Sequence, residues 1–212
     1  PDTWNIDPAA IRACITKKTK AIVAVDYTGQ AAQYDEILDI CRENNLILIE
    51  DAAHGIGTKY KGKPVGSIAD MTTFSFHPVK NITSGGGAVT TNDENLYRRL
   101  LRLRSHGITR NPAETVHKTD AKWYNEQVEL GYNYRLTDIQ AVLALSQLDK
   151  LPAFIARRKE IVAKYNAAFS RMPELIVQQE IPESDTARHL YILRLNPKTA
   201  GCSRREMFDA LW

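Results

Sequence analysis

The chain has 212 residues, of which 43% are hydrophobic and 25% charged, a composition typical of globular proteins and not of disordered ones. Its net charge of +3 is too small to indicate a nucleic-acid or membrane partner, although it would suit a small anionic ligand. The three cysteines are scattered without C-x-x-C spacing, which argues against a disulfide framework or a zinc site and favours a reducing cytoplasm. The sequence contains no run of about 18 apolar residues, so no membrane span is predicted.

The sequence up to Asp51 predicts alternating helices and strands. Asp7 followed by Pro8 is a typical helix start, because the aspartate can cap the first turn and the proline needs no hydrogen-bond acceptor there. The apolar runs KAIVAVD and LILIED predict buried parallel strands, and the segment QYDEILDICRENN between them has apolar residues at helical spacing. This order is typical of a parallel sheet covered by helices.

The rest of the sequence predicts paired strands and then helices. The runs ADMTTFSFH and GGAVTTN indicate two strands, and Asn92 would cap a helix in DENLYRRLLRLRSHG. Thr137 and Gln140 form the N-cap and N3 pair of a long helix that continues past Pro152. We therefore expect an α/β fold: a three-layer, mostly parallel sheet covered by helices in residues 1–150, then a connecting helix and the start of a small α+β domain, with the strand-like HLYILRL, in residues 151–212.

Asp51 and Lys80 are the residues that best indicate a reactive site. In an open α/β sheet, ligands bind beyond the carboxyl ends of the strands, and Asp51 directly follows the apolar run LILIE. An aspartate there could equally be a helix cap or a partner in an ion pair. Lys80 follows a predicted strand, is stiffened by Pro78 and precedes Gly85 to Gly87, whose bare backbone would let a flat ligand come close.

These two residue types together suggest one cofactor. A lysine in a partly desolvated pocket is a good nucleophile and can form a Schiff base with an aldehyde. Pyridoxal phosphate is the aldehyde that pairs naturally with an aspartate, because its pyridine nitrogen must stay protonated for the ring to accept electrons. We expect Asp51 to hold that proton and Lys80 to hold the cofactor. An isolated lysine is more commonly a solvated surface residue, so the hypothesis requires both side chains to face one pocket.

The sequence around these residues resembles a known family. The run IEDAAHGIGTKYKGKPVGSIADMTTFSFHPVKNITSGGGAVTTND is similar to the centre of the DegT-type nucleotide-sugar aminotransferases, which have the aspartate aminotransferase fold and use pyridoxal phosphate. The similarity extends upstream through TKAIVAVDYTGQAAQYDEI and downstream through GYNYRLTDIQAVLALSQL, to about Phe169.

The resemblance implies a role for each matching residue. Lys80 in FSFHPVK matches the family's Schiff-base lysine, and Ser75 matches the hydroxyl that binds the cofactor phosphate. In EDAAH, Asp51 matches the carboxylate that faces the pyridine nitrogen, and His54 matches a residue near the phenolic oxygen of the cofactor. Asn133 in GYNYR would reach the phosphate of the neighbouring subunit's cofactor, because the family builds each active site at a homodimer interface.

Several of these assignments compete with a purely structural role. His54 could be a core histidine satisfied by the backbone, and Asn133 could be a loop or cap residue. His77 stands where many family members have Tyr or Phe, so we expect it to pack near the cofactor or substrate without a role in proton transfer. The arginine-rich run RRLLRLRSHGITR has leucines at helical spacing, which favours a solvated helix face over nucleic-acid binding. We predict no metal site.

The activity that the resemblance implies is transamination. Lys80 would release the cofactor to an amino-acid donor, by resemblance glutamate, and act as general base and then general acid. The amino group would then pass to a 4-keto-6-deoxy sugar nucleotide, in amino-sugar biosynthesis for surface glycans. A deoxygenating relative would replace the lysine, usually by histidine. Amino-acid decarboxylation, β-elimination and a non-catalytic regulatory or scaffold role also stay open.

The chain starts at Pro1 and stops inside a predicted helix at MFDALW, which suggests a segment of a longer protein. The family's N-terminal third supplies a cup of backbone N–H donors for the cofactor phosphate, and we expect that part to lie outside these residues. The 212-residue piece alone should therefore bind cofactor weakly or not at all, while the parent protein is an enzyme.

Overall fold

The structure, a computed structural model, describes residues 2–212. The helices in this part of the chain are α1 Pro8–Cys14, α2 Tyr34–Asn44, α3 Glu94–Leu103, α4 Asp138–Phe169 and α5 Arg204–Leu211. The strands are β1 Ala21–Val25, β2 Ile47–Asp51, β3 Lys59–Tyr60, β4 Lys63–Pro64, β5 Met71–Ser75, β6 Gly87–Thr90, β7 Ile108–Thr109, β8 Glu126–Gln127, β9 Leu175–Val177, β10 Ser184–Asp185 and β11 Leu193–Leu195.

The main sheet has the strand order β1-β2-β5-β6. Strands β1, β2 and β5 are parallel, and β6 pairs antiparallel with β5. The register sets Asp51 beside Val25 on one neighbour and beside Thr73 on the other. The α/β fold class and the change from alternating elements to paired strands are therefore confirmed, and Asp51 lies at the carboxyl end of the parallel strands.

The main core lies between the sheet and helices α1 and α2. Because side chains alternate along a strand, Ile22, Ala24 and Leu48 face these helices and are buried. Tyr34 and Ile37 of α2 are fully buried against them. Within residues 2–212 the opposite face of β1 and β2 is open. A second apolar cluster, formed by Phe76, Ile82 and Leu151, packs α4 against the segment after β5.

Two predicted boundaries need correction. Asp93 and not Asn92 caps α3, because its Oδ1 accepts hydrogen bonds from the backbone nitrogens of residues 95 and 96 at 2.7 and 3.0 Å. Only the last three residues of HLYILRL form a strand, β11. The N–H groups of His189 and Leu190 instead donate to the carbonyl oxygen of Thr28, at 2.8 and 3.2 Å, and so cannot join a sheet ladder.

Helix α4 begins as predicted and runs unbroken past Pro152 to Phe169. Thr137 Oγ1 accepts from the backbone nitrogen of Gln140 at 3.3 Å, and Gln140 Oε1 accepts from that of Thr137 at 3.1 Å. Among the described residues α4 is the one helix long and apolar enough, by length and composition, to cross a membrane. Such a match is weak evidence, and Asp149 interrupts the apolar sequence. The expected absence of a membrane span stays a prediction.

Residues 178–190 return to the carboxyl end of the main sheet. Thr28 Oγ1 donates to Gln178 Oε1 at 2.7 Å. The backbone nitrogen of Ala187 donates to Thr58 Oγ1 at 2.9 Å and lies 3.2 Å from the carbonyl oxygen of Gly29. The predicted domain boundary at residue 150 stays a prediction. Whatever the boundary, these contacts bring part of the later sequence to the edge of the sheet where Asp51 ends its strand.

Candidate active site at the carboxyl end of the main sheet

Asp51 lies at the end of β2 and is half-buried. Its Oδ1 accepts a hydrogen bond from the backbone nitrogen of Ala53 at 3.0 Å, and its carbonyl oxygen accepts one from the backbone nitrogen of Asp26 at 3.0 Å. Among the described residues, Oδ2 has no hydrogen-bond partner and the carboxylate no ion-pair partner. Asp51 therefore keeps one oxygen available for a ligand. Neither an ion pair nor a helix cap, the two structural roles considered for this aspartate, is found.

Lys80 lies in a closed loop between β5 and β6. Phe76 closes the loop: its nitrogen donates to the carbonyl oxygen of Gly86 at 2.9 Å, and its own carbonyl oxygen accepts from Ser84 and Gly85 at 3.1 and 2.8 Å. The backbone nitrogen of Lys80 donates to the carbonyl oxygen of His77 at 2.9 Å. These bonds fix the path of the backbone on both sides of the lysine.

The residues after Lys80 anchor the loop in the protein interior. Ile82 is fully buried in the cluster with α4. Asn81 is also buried, and its Nδ2 donates to the carbonyl oxygen of Ala187 at 3.2 Å. The lysine loop is thereby attached to the segment that returns from the C-terminal part of the chain.

The glycines of this loop have a local structural role. Gly85 and Gly86 have φ values of +79° and +73°, which favour glycine over any residue with a side chain. A Cβ atom on Gly87 would lie 2.3 Å from the carbonyl oxygen of Phe74, so β6 can approach β5 only without it. The glycines thus shape the loop, and the access that they would give to a flat ligand stays a prediction.

His54 lies in the loop after β2, three residues beyond Asp51. Burial is the largest effect on the pKa of His54 and lowers it. The charge of Lys80 lowers this pKa further, whereas the charge of Asp51 raises it. The Nδ1 atom of His54 accepts a hydrogen bond from the backbone nitrogen of Thr28 at 3.3 Å, so the neutral ring carries its proton on Nε2. The backbone bond expected for a core histidine is present, although the ring is only half-buried.

Ser75 lies at the same end of the sheet. It is the last residue of β5, two positions beyond Thr73, the register partner of Asp51. Its Oγ accepts from the backbone nitrogen of His77 at 3.3 Å. The structure thus brings Asp51, His54, Ser75 and Lys80 to one edge of the sheet, and their individual roles stay predictions.

His189 is the site residue that sequence reasoning missed. Its ring centroid lies 4.5 Å from that of His54, and the residue is 7% exposed. Its pKa is lowered to about 4, first by burial and then by the charges of His54, Lys80 and Arg158. Its buried Nδ1 has no hydrogen-bond partner among the described residues. The only signal in the sequence is a polar residue at the head of the apolar run LYILRL.

Asn133 does not join this cluster within one chain. It is exposed, pairs through the backbone with Ser105, and accepts a hydrogen bond on Oδ1 from Arg135 Nε at 3.4 Å. Tyr132 and Tyr134 on either side of it are exposed, and their rings stack at 4.8 Å. Residues 2–212 therefore show no contact between Asn133 and the site, and its predicted reach into a neighbouring subunit stays a prediction.

A cavity of about 610 Å³ lies away from these residues, between α3 and β7. Its lining includes Arg98 and Arg102, whose guanidinium groups are already paired with carboxylates. None of Asp51, His54, Ser75 and Lys80 lines it. Within the described residues, no group of three His, Cys, Asp or Glu side chains could hold a metal ion.

Comparisons with known proteins identify the family of the chain. The sequence matches the model of the DegT/DnrJ/EryC1/StrS aminotransferase family over residues 1–212. It is 38% identical over 211 residues to the UDP-4-amino-4,6-dideoxy-N-acetyl-β-L-altrosamine transaminase of Campylobacter jejuni, covering 98% of this chain and 54% of that protein.

Solved structures are similar over the same region. One is Helicobacter pylori PseC, an aminotransferase involved in the biosynthesis of pseudoaminic acid, with a TM-score of 0.89 and 32% identity over 100% of this chain and 54% of that one. Another is the PLP-form of the putative sugar aminotransferase Spr1654 from Streptococcus pneumoniae, with a TM-score of 0.85 and 32% identity over 99% of this chain and 56% of that one. The chain spans about half the length of these relatives. It belongs to the DegT/DnrJ/EryC1/StrS aminotransferase family.

Proposed function

We propose that the whole protein is a pyridoxal phosphate-dependent aminotransferase. It would move an amino group from an amino acid, with glutamate as the expected donor, to a 4-keto-6-deoxy sugar nucleotide. The observation that carries the proposal is that Asp51 ends β2, Ser75 ends the neighbouring strand β5, and Lys80 lies in the loop that follows, all at the carboxyl end of the parallel strands. The names of the relatives support an amino sugar as the product.

The residues of this edge fit the cofactor. The free Oδ2 of Asp51 suits a protonated pyridine nitrogen, and the side chain of Lys80, which is not in an ion pair with any described residue, suits an aldehyde. Ser75 Oγ would bind the phosphate. The Nε2–H of neutral His54 can donate to an anionic phenolic oxygen. When bound, pyridoxal phosphate supplies an electron-accepting ring that stabilises the negative charge left by proton removal.

Lys80 is the proton carrier in this proposal. Its Nζ would hold the cofactor covalently before the donor arrives and become a free amine afterwards. A free amine at this position can take the proton from the α-carbon of the donor as general base and return it as general acid. Asp51 would keep the pyridine nitrogen protonated. A deoxygenating activity is disfavoured because Lys80 is present where those relatives would have another residue.

We also propose that the protein is a homodimer with shared sites. The apolar surface around Asn133 is unusually exposed: Tyr134 is 72% exposed and Ile139 83% exposed, and Leu130 and Val142 are similar. An apolar patch of this kind marks an interface more often than a free surface, and a second copy of the chain is the partner that would bring Asn133 to a site. The free cysteines and the nucleotide-sugar substrate favour a cytoplasmic location.

Borohydride reduction of the full-length protein with pyridoxal phosphate, followed by peptide mass mapping, tests the cofactor site. We expect the pyridoxyl adduct on the peptide that contains Lys80, its loss in Lys80→Ala, and its retention in the control Lys63→Ala, which removes an exposed lysine of β4. An adduct on another lysine, or equal labelling of the Lys80→Ala variant, would overturn the assignment. Amination assays with 4-keto sugar nucleotides and with 2-oxo acids then test the substrate class; transfer to 2-oxo acids only would rule out the sugar.

A further inference from the structure

Two acidic residues lie on the helix-covered face of the main sheet, directly behind the candidate site. Asp26 follows β1, and Glu50 precedes Asp51 in β2. Because strand side chains alternate, Glu50 points to the face opposite to that of Asp51. Both residues are 0% exposed. No ion pair of residues 2–212 includes either of them.

Each carboxyl group has one satisfied oxygen and one that lacks a partner. Asp26 Oδ1 accepts from Tyr34 Oη at 2.6 Å and from the backbone nitrogen of Ala32 at 3.2 Å. Glu50 Oε2 accepts from Thr72 Oγ1 at 2.5 Å and from the backbone nitrogen of Gly66 at 2.8 Å. Asp26 Oδ2 and Glu50 Oε1 are also buried, and neither has a hydrogen-bond partner among the described residues. Both orphan atoms are acceptors, so one proton between them would satisfy both.

The charges around the pair oppose ionisation of both groups. Two carboxylates that are fully buried without a cation cannot both be charged, because the desolvation cost is too large. Burial and then the charge of Glu50 raise the pKa of Asp26 well above its ordinary range. The bonds from Tyr34 and from the Ala32 nitrogen act in the opposite direction.

The other titratable groups near the pair add no positive charge. The pKa of Tyr34 on α2 is raised by burial and by both carboxyl groups, so it stays a neutral donor. Tyr60 on β3 lies edge-on to Tyr34 at 5.7 Å, and burial raises its pKa too. Asp70, just before β5, accepts from the backbone nitrogen of Leu48 at 2.8 Å. His54, in the loop after β2, has a lowered pKa and is neutral.

We propose that Asp26 and Glu50 share one proton, held on Asp26 Oδ2 and donated to Glu50 Oε1, and that this bond positions the end of β2, which carries Asp51, and the following loop, which carries His54. It would join the end of β1 to β2 beside the backbone bond from Asp26 to Asp51. Gly55, next to His54, packs against the same oxygen: a Cβ atom there would lie 2.8 Å from Asp26 Oδ2. The shared proton follows from these two side chains alone, whereas the positioning role rests on the proposed function.

Infrared spectroscopy of the full-length protein, labelled with ¹³C at the aspartate carboxyl carbon, tests the proton directly. At pH 7 we expect a band from one protonated aspartate, which disappears in Asp26→Asn and persists in Asp39→Asn, an exposed aspartate of α2. No such band in the parent, or its persistence in Asp26→Asn, would overturn the proposal. The measurement needs no cofactor, so its outcome is independent of the proposed function.

Amide substitutions test whether Asp26 and Glu50 share a proton. In Asp26→Asn the amide N–H₂ takes the place of the O–H, and in Glu50→Gln it faces the Asp26 oxygen, so each single variant should fold. In the double variant two N–H₂ groups face each other without an acceptor. Its unfolding midpoint should therefore fall by more than the sum of the two single shifts. Additive shifts would contradict the shared proton.

The positioning role needs a separate readout. We expect Asp26→Ala, which removes the bond, to weaken pyridoxal phosphate binding and shift the pH dependence of the bound cofactor's absorption, while Asp26→Asn keeps both near the parental values. Unchanged binding and spectrum in Asp26→Ala would show that the pair does not position the site. Equal losses in both variants would also contradict it, since the isosteric amide preserves the bond.

Discussion

His54 and His189 form a pair of imidazoles in contact, with their ring planes tilted by 47°. Both pKa values are lowered, mainly by burial, and the charge of Lys80 contributes to each. Two protonated rings 4.5 Å apart and next to an ammonium group would repel one another strongly, so the pair is neutral near pH 7. A neutral pair can donate and accept hydrogen bonds at the site without competing with Lys80 for the charge of Asp51.

Replacement of His189 by phenylalanine should change how stability depends on pH. The pKa of His189 in the folded protein is about 4, below the ordinary 6.5, so between these values the unfolded chain binds a proton that the folded chain does not. The parent should therefore lose stability as pH falls from 6.5 to 4, by no more than about 3 kcal/mol, and His189→Phe should lose less. Chemical denaturation of both proteins at several pH values measures the difference.

Taking the difference between variant and parent removes the contribution of every other titrating group, including Asp26. The effect of Asp26 has the opposite sign: its raised pKa stabilises the fold at low pH and this contribution is lost as pH rises. Identical pH profiles for the parent and His189→Phe would show that His189 is not the buried, neutral ring described above.

The sequence predicts those site residues whose signal is local. Asp51 ends an apolar run and Lys80 precedes a glycine run, so both can be found by reading a few neighbouring residues. His189 cannot, because it meets His54 across 135 residues of sequence. Asp26 follows β1 and Glu50 lies in β2, and only the pairing of these two strands shows that they meet.

At the scale of elements, the β5–β6 hairpin determines where Lys80 lies. The hairpin loop is closed on Phe76 from both sides, and its last glycine allows the two strands to come together. The geometry of the lysine therefore depends on the close approach of two strands and not only on residues that touch the site.

Gly87→Ala should disrupt this hairpin. Its Cβ atom would lie 2.3 Å from the carbonyl oxygen of Phe74, a backbone atom that can move only with β5. We expect a loss of about 2 kcal/mol in the free energy of unfolding, as in other overpacked sites, together with reduced borohydride labelling of Lys80. The matched control is Ala88→Ser at the next, exposed position of β6, which should change stability by less than about 0.5 kcal/mol. Parental stability and labelling in Gly87→Ala would contradict this role of the hairpin.

The elements with strong local signals were predictable, and the short ones were not. Helices α1 and α4 have capping residues, and β1 and β2 are long apolar runs. Strands β3, β4, β7, β8 and β10 have two residues each, too few for any periodicity to be recognised. Their pairing depends on contacts between distant segments, such as β10 with β3, that local patterns do not contain.

At the scale of the whole molecule, the chain has two separate regions with features of a site. One is the edge of the main sheet with Lys80, and the other is the exposed apolar surface that contains Asn133. In a dimer in which the Lys80 edge of each chain faces the Asn133 surface of the other chain, both regions would form part of a site. Under this arrangement Asn133 would serve the site of the other chain, which agrees with its lack of contact with the other predicted site residues of its own chain.

Mixed dimers test this arrangement. If each site takes Lys80 from one chain and Asn133 from the other, a dimer of one Lys80→Ala chain and one Asn133→Asp chain has one intact site and one doubly altered site. Random pairing of the two inactive variants should then restore about a quarter of the parental activity in the mixture, and purified mixed dimers should show about half of it. Tagged chains purified as mixed dimers and assayed for amine transfer measure the recovery. No recovery in dimers shown to be mixed would mean that both residues serve the same chain's site.

A substitution in the exposed apolar surface around Asn133 tests whether that surface is the dimer contact. Val142→Glu places a charge on the exposed apolar surface, and sedimentation velocity should show monomers, whereas Lys159→Glu, on a more distant turn of α4, should leave the dimer intact. A Val142→Glu protein that stays dimeric would exclude this surface as the subunit contact.

Thr28 contacts both histidines through its own backbone, His54 at the ring and His189 at the main chain. It has a φ of 65°, a conformation that costs a residue with a side chain on the order of 1 kcal/mol or more. Its N–H group donates to His54 Nδ1, and its carbonyl oxygen accepts from the backbone nitrogen of His189. A substitution that displaces one of these histidines should therefore displace the other as well. Enlarging the site for a bulkier sugar would require changes to the whole turn that contains Thr28.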